Sequence, residues 1–170
     1  MATRICFIRH GETDWNAGKR IQGQTDIPLN ATGRSQAQAL AANAAQFVFS
    51  AIYSSDLQRA LETAQCLAAG RGLAVQMLPQ LRERHFGVFQ GLTGAEAAQR
   101  DPAAYARYKA RDMEFDFETG ESLQQLATRV EQAVSLMVAQ QPGKSIAVVC
   151  HAGVLDALAQ RPPMQHVIVT

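Results

Sequence analysis

The chain has 170 residues, with 16 Lys and Arg against 15 Asp and Glu, for a net charge of +1. That length gives one domain a sizeable core and is short for two, and 47% hydrophobic with 18% charged residues suits an ordinary soluble globular chain. The balance excludes a global attraction to nucleic acid or an anionic membrane, so affinity for an anion must come from arginines clustered locally.

Cys6, Cys66 and Cys150 form no C-x-x-C pair, which predicts reduced core thiols in a cytoplasmic protein. The amino terminus has a strand pattern instead of a leader pattern, and no run reaches about 18 apolar residues. The first predicted strand holds Ile5, Phe7 and Ile8 and stops at Arg9-His10-Gly11. A strand that delivers arginine and histidine to its carboxyl end suits a binding site, and equally a capped strand facing solvent. A long polar segment over 11–32 follows, carrying Asn16, Lys19, Arg20, Gln22, Gly23 and Gln24. Lys19 and Gln24 read best as solvated loop residues. Thr32 is the expected N-cap of an alanine-rich helix over 33–46.

A second buried strand is predicted over 47–54, running into Ser55-Asp56 as the cap of a helix over 57–69 that carries Arg59 in its first turn. A helix amino terminus already favours anions, and an arginine there strengthens it. A short strand over 73–78 precedes the charged knot Arg82-Glu83-Arg84. Two short helices over 95–100 and 102–111, with Tyr105 and Tyr108, suggest a cap. Gly120-Glu121-Ser122 opens the longest helix, to about residue 140, whose apolar stripe is core. Residues 145–150 form the clearest buried strand and end at His151. A helix over 154–160 is stopped by Pro162-Pro163, and 166–170 suit one more short strand. Alternating strands and helices predict an α/β fold: a three-layer α/β/α sandwich on a mainly parallel sheet.

In such a sheet His10, His151 and Arg59 converge at one edge with Arg9. Two arginines and two histidines make a cationic pocket matched to a phosphoryl group. Neighbouring positive charge would keep one imidazole unprotonated and able to attack phosphorus, and Glu83 is the candidate to protonate the leaving alkoxide. Competing chemistries lack their residues. The sixth residues after the cysteines are Glu12, Gly72 and Asp156 instead of the arginine of C-x5-R. Gly143-Lys144-Ser145 has Val138 where a P-loop needs glycine, and no metal-binding spacing appears.

Arg9-His10-Gly11-Glu12-Thr13 resembles the signature of the histidine phosphatase superfamily, the phosphoglycerate mutase-like proteins. The resemblance extends through Asp14-Trp15-Asn16, Ser54-Ser55-Asp56-Leu57-Gln58-Arg59-Ala60, Leu81-Arg82-Glu83, Gly120-Glu121-Ser122 and the strand into His151. It implies a single domain over 1–170 with 92–119 as a small helical cap insertion. It implies that His10 is the nucleophile, that Arg9, Arg59 and His151 hold the phosphoryl group, and that Glu83 is the proton donor. Asn16, Gln22 and Gly23 match positions lining the pocket.

Three departures stand out. Ala152 replaces a glycine, Phe89-Gln90-Gly91 stands where tryptophan and glutamate are common, and the chain looks short at its C-terminus, which would leave a sheet edge that a homodimer could cover. The expected function is a metal-independent phosphomonoester hydrolase acting through phosphohistidine on a small-molecule substrate, without cofactor, nucleic acid or membrane. The alternatives are a cofactor-dependent phosphoglycerate mutase, or a non-catalytic phosphate-binding protein.

Overall fold

The structure, a computed structural model, describes residues 2–159 and 167–169. Five strands form one parallel sheet: β1 (Thr3–Arg9), β2 (Ala51–Ser54), β3 (Val75–Met77), β4 (Ser145–Cys150) and β5 (Val167–Val169), in the order β3-β2-β4-β1-β5. The helices are α1 (Asp14–Ala17), α2 (Ala31–Asn43), α3 (Gln58–Ala68), α4 (Gly94–Arg100), α5 (Pro102–Lys109), α6 (Leu123–Gln140) and α7 (Ala152–Ala159). None of those described is long and apolar enough to cross a membrane.

The sheet is buried on both faces, and its side chains divide by strand parity. From β4, Ile146, Val148 and Cys150 point into a core shared with α6 and α7, through Leu126, Val130, Val134, Met137 and Val154. Ala147 and Val149 face the other layer, where Ala60, Ala64 and Leu67 of α3 pack. Each Val, Leu or Ile so buried contributes on the order of 1.5–3 kcal/mol of transfer free energy. This is the three-layer α/β/α arrangement that the alternating pattern predicts. A third cluster, Phe89, Ala97, Phe115 and Phe117 with Phe86, Tyr105 and Tyr108, joins α4 and α5 to the loops before and after them.

The strand order places the site. From β1 the chain crosses to β2, and from β4 it crosses the opposite way to β5, while β1 and β4 are neighbours. Open α/β sheets bind ligands beyond the carboxyl ends at such a switch point. His10 and His151 are the residues that follow those two strands.

Several boundaries differ from expectation. The second strand covers only 51–54, because Phe47 and Val48 are 55% and 85% exposed and belong to the connection. The cap of α2 is Asn30, whose side chain accepts from Gly33 N, so Thr32 lies inside the helix. Neither Ser55 nor Asp56 caps α3: its N-cap is Leu57, and Asp26 from the preceding loop accepts from Gln58 N at 2.8 Å. The polar segment over 11–32 contains the short helix α1, closed by a capping box between Thr13 and Asn16. The expected strand at the C-terminus is present as β5, whereas the proline stop at 162–163 lies outside the described residues.

Candidate active site

The parallel ladder sets the first half of the site. Arg9 pairs with Cys150, and His10 N donates to Cys150 O at 3.1 Å, which brings the rings of His10 and His151 to 5.0 Å between centroids. His10 Nδ1 lies 2.6 Å from Gly11 O. A carbonyl can only accept, so Nδ1 carries the hydrogen and Nε2 keeps its lone pair. Burial, reinforced by the charges of Arg59 and Arg9, lowers the His10 pKa to about 4, so the ring is neutral at pH 7. Burial is the larger cause, ahead of the neighbouring arginines expected to have this effect. Behind His10 the backbone packs without side chains: a Cβ on Gly11 would overlap Gly33, and one on Gly33 would overlap Glu12 O.

Arg59, 1% exposed, is the largest fully buried side chain. Its two terminal nitrogens donate to Gly23 O at 2.7 Å and Thr25 O at 2.9 Å, which ties the 11–32 loop to α3. Burial lowers its pKa to about 10, and it remains a cation at neutral pH. His151 is completely buried, and burial with the charges of Arg59 and His10 holds its pKa well below the usual histidine range. Among the described residues, Arg59 Nε and both ring nitrogens of His151 are buried without a hydrogen-bond partner. Such groups are costly to leave unpaired, and three of them beside His10 amount to a desolvated, donor-rich lobe.

The loop supplies amide donors. Asn16 Oδ1 accepts from Thr13 N, and Gln22 Oε1 lies 2.9 Å from the Thr13 hydroxyl, so both amide oxygens are engaged and the NH2 ends remain. Gly23 has φ 56°, a left-handed conformation, and a Cβ there would overlap the Gln90 side chain. Gln90 Oε1 in turn accepts from Gln24 N. A cavity of about 130 Å³ is lined by Arg9, His10, Asn16, Gln22, Gly23, Arg59 and Glu83, together with Arg20, Ile21, Phe86 and Tyr108. Of the residues expected at the site, only His151 is absent from this lining, and it contacts the cavity's histidine ring directly.

Glu83 lines the same cavity as His10, and its flanking arginines do not neutralise it. Arg82 pairs with Asp56, with Nε 2.7 Å from Oδ1. Arg84 donates to the carbonyls of Glu121 and Phe115. The Glu83 carboxyl accepts from Arg84 N at 2.8 Å and Gly153 N at 3.1 Å. Burial raises its pKa, against the opposing pull of those two N–H groups and of Arg59 and Arg129. A second cavity of about 300 Å³ also has Glu83, Phe86 and Tyr108 in its walls, so the carboxyl stands where two spaces meet.

Arg20, one of the polar residues of the 11–32 loop, and Tyr108, from the expected cap, also line the cavity, whereas Ile21 and Phe86 carry no signal in the sequence that marks them as lining residues. Lys19 is exposed, as expected, whereas Gln24, outside the cavity lining, is half-buried and its side chain donates to Glu83 O at 3.2 Å. Among the described residues no group of three or more His, Cys, Asp and Glu side chains is arranged to hold a metal ion.

The chain is similar to known proteins. A curated relative from Arabidopsis thaliana, phosphoglycerate mutase-like protein 4, is 43% identical over 160 residues, covering 92% of this chain and 70% of its own. Another from the same plant, metal-independent phosphoserine phosphatase, is 40% identical over 94% of this chain and 68% of its own. The solved structure of YhfR from Bacillus stearothermophilus superposes with a TM-score of 0.88 at 32% identity, covering 97% of this chain and 87% of that one. Residues 5–162 match the family description of the histidine phosphatase superfamily, branch 1, and the chain belongs to that family.

Proposed function

We propose that the protein is a metal-independent phosphomonoester hydrolase that works through a phosphohistidine at His10. The observation that carries this reading is the neutral, buried His10 with three unpartnered buried nitrogens on Arg59 and His151, and a carboxyl of raised pKa in the same cavity. An incoming phosphoryl group meets Arg9, Arg59, His151 and the amides of Asn16 and Gln22, whose hydrogen bonds take up the negative charge on its equatorial oxygens. His10 Nε2 attacks phosphorus as the bond to the leaving oxygen breaks. Glu83, protonated, gives its proton to that oxygen and the alcohol departs. In the second half Glu83, now a carboxylate, takes a proton from water as the water oxygen attacks phosphorus and the P–N bond breaks. Inorganic phosphate and neutral His10 result.

Relatives named as phosphatases, including a metal-independent phosphoserine phosphatase and a glucosyl-3-phosphoglycerate phosphatase from Mycobacterium tuberculosis, support a small phosphorylated metabolite as substrate. A mutase would use the same first step and return the phosphoryl group to a second hydroxyl instead of water. The test is steady-state hydrolysis of p-nitrophenyl phosphate and of phosphoserine in EDTA. It is run beside an assay of 2- to 3-phosphoglycerate interconversion primed with bisphosphoglycerate. Phosphate release that survives chelation and exceeds interconversion is expected. Activity that needs added metal contradicts the mechanism, and interconversion outpacing release makes the protein a mutase.

A further inference from the structure

The Gly120-Glu121-Ser122 run lies outside the cavity, yet it meets the segment that carries Glu83. Ser122 caps α6 by accepting from Gln125 N. Glu121 N donates to His85 O at 2.8 Å, and a Cβ on Gly120 would overlap that same carbonyl and Gly87 N. The Glu121 carboxylate forms a two-pronged pair with Arg129, in the second turn of α6, and the two side chains are 13% and 18% exposed. Arg129 then donates to Gln80 O at 2.7 Å, Arg82 O at 2.7 Å and Glu83 O at 2.9 Å. All five N–H groups of the guanidinium are thereby used, three of them on carbonyls of one short stretch that includes the peptide of Glu83.

We propose that Arg129, oriented by Glu121, is a positioning residue that holds the Glu83 peptide so that the carboxyl reaches the leaving oxygen. This rests on the reading of Glu83 as proton donor. Arg129 does not touch the Glu83 carboxyl, which is held by Arg84 N and Gly153 N. It fixes the backbone from which the carboxyl hangs. A guanidinium suits the task because its planar fork spans a carboxylate on one side and separated carbonyls on the other, and a lysine ammonium cannot. Displacement of a catalytic group by about 1 Å costs on the order of 10²-fold in rate.

The test separates positioning of the donor from general support of the fold. Alkoxide leaving groups need the proton, whereas 2,4-dinitrophenolate leaves without it. The ratio of kcat/KM for phosphoserine to kcat/KM for 2,4-dinitrophenyl phosphate, taken on one sample, is independent of the folded fraction. It covers only the steps through formation of the P–N bond, before the water attack in which Glu83 is the base. Glu83→Gln sets the scale, lowering that ratio by about 10²-fold or more. Arg129→Lys is expected to lower it about tenfold, and Glu121→Gln a few-fold, in the same direction. If Arg129→Lys and Glu121→Gln lower both rates by one common factor while Glu83→Gln changes the ratio, the positioning role is overturned. A ratio unchanged in Glu83→Gln itself overturns the donor reading beneath it, and is read on a different variant.

Discussion

The two walls of the cavity are built by different means. The histidine wall hangs on the main chain: β1 and β4 lie in parallel register, His10 N is bonded to Cys150 O, and Gly11 and Gly33 bring backbone against backbone. The carboxyl wall hangs on side chains. Glu83 sits in a stretch without strand or α-helix, held by the guanidinium groups of Arg82, Arg84 and Arg129, and shares its cavity with Phe86 and Tyr108 of the aromatic cluster. His10 therefore moves only if the sheet moves, while the stretch that carries Glu83 answers to single side chains. Substitutions in the second wall should alter chemistry with little loss of fold, and substitutions behind the first should do the reverse.

Four predictions press on that contrast, from the largest effect down. His10→Ala should lose at least about 10⁴-fold in kcat for phosphoserine and p-nitrophenyl phosphate alike, because no other group can take the phosphoryl. Retention of a tenth of the activity by this variant would remove the nucleophile from the account.

The histidine wall should also make stability drop as the pH is lowered. A native His10 with pKa about 4, against about 6.5 unfolded, means that the unfolded chain binds the extra proton between those values. Going from pH 7 to pH 4 then costs about 3 kcal/mol from His10 alone, and the lowered pKa of His151 acts in the same direction. Urea unfolding at the two pH values checks this. His10→Asn should flatten the dependence, and an unchanged slope would contradict the burial argument.

Gly153→Ala probes the carboxyl wall. A Cβ there would overlap Glu83 Oε1, the far end of a flexible side chain that also accepts from Arg84 N, so the fold can yield while the carboxyl shifts off that bond. Turnover of phosphoserine should drop on the order of 10- to 100-fold with a melting temperature within a few degrees of the parent. A large loss of stability with unchanged turnover per folded molecule would reverse that assignment. The smallest effect is expected at Arg82→Met. The Arg82–Asp56 pair is partly exposed, at 40% and 21%, and its loss should cost about 1 kcal/mol or less in chemical denaturation.

The histidine wall was legible in the sequence because its signals are local. Apolar β-forming runs that stop at Arg9-His10 and at His151 mark strand ends, and the parallel sheet brings such ends together. The limits of that logic show at Phe47 and Val48, where an apolar run reads as strand although both residues lie exposed in the connection. Capping was misread where the partner is distant in sequence: Asp26 serves α3 across the 11–32 loop, which no spacing rule reports. The carboxyl wall was less legible: Glu83 could be named because the chemistry needs an acid, and the resemblance matches it, but no local pattern marks it. Between Arg82 and Arg84, Glu83 has the local pattern of a surface ion pair, and its solitude appears only once Asp56, Phe115 and Glu121 are seen to occupy those arginines. Arg129 left no trace, since one arginine on the polar side of an amphipathic helix looks like a solvated residue.

The central claim is that a covalent bond forms between His10 and the substrate's phosphorus. Rapid mixing with phosphate-labelled phosphoserine, followed by denaturation in alkali, should trap label on the protein up to one equivalent. Acid should release that label, and it should be absent from His10→Ala. Glu83→Gln should still accept label from 2,4-dinitrophenyl phosphate, because the leaving group needs no proton. Label that persists in His10→Ala, or turnover by the parent protein with no trapped intermediate at any time, would contradict the account.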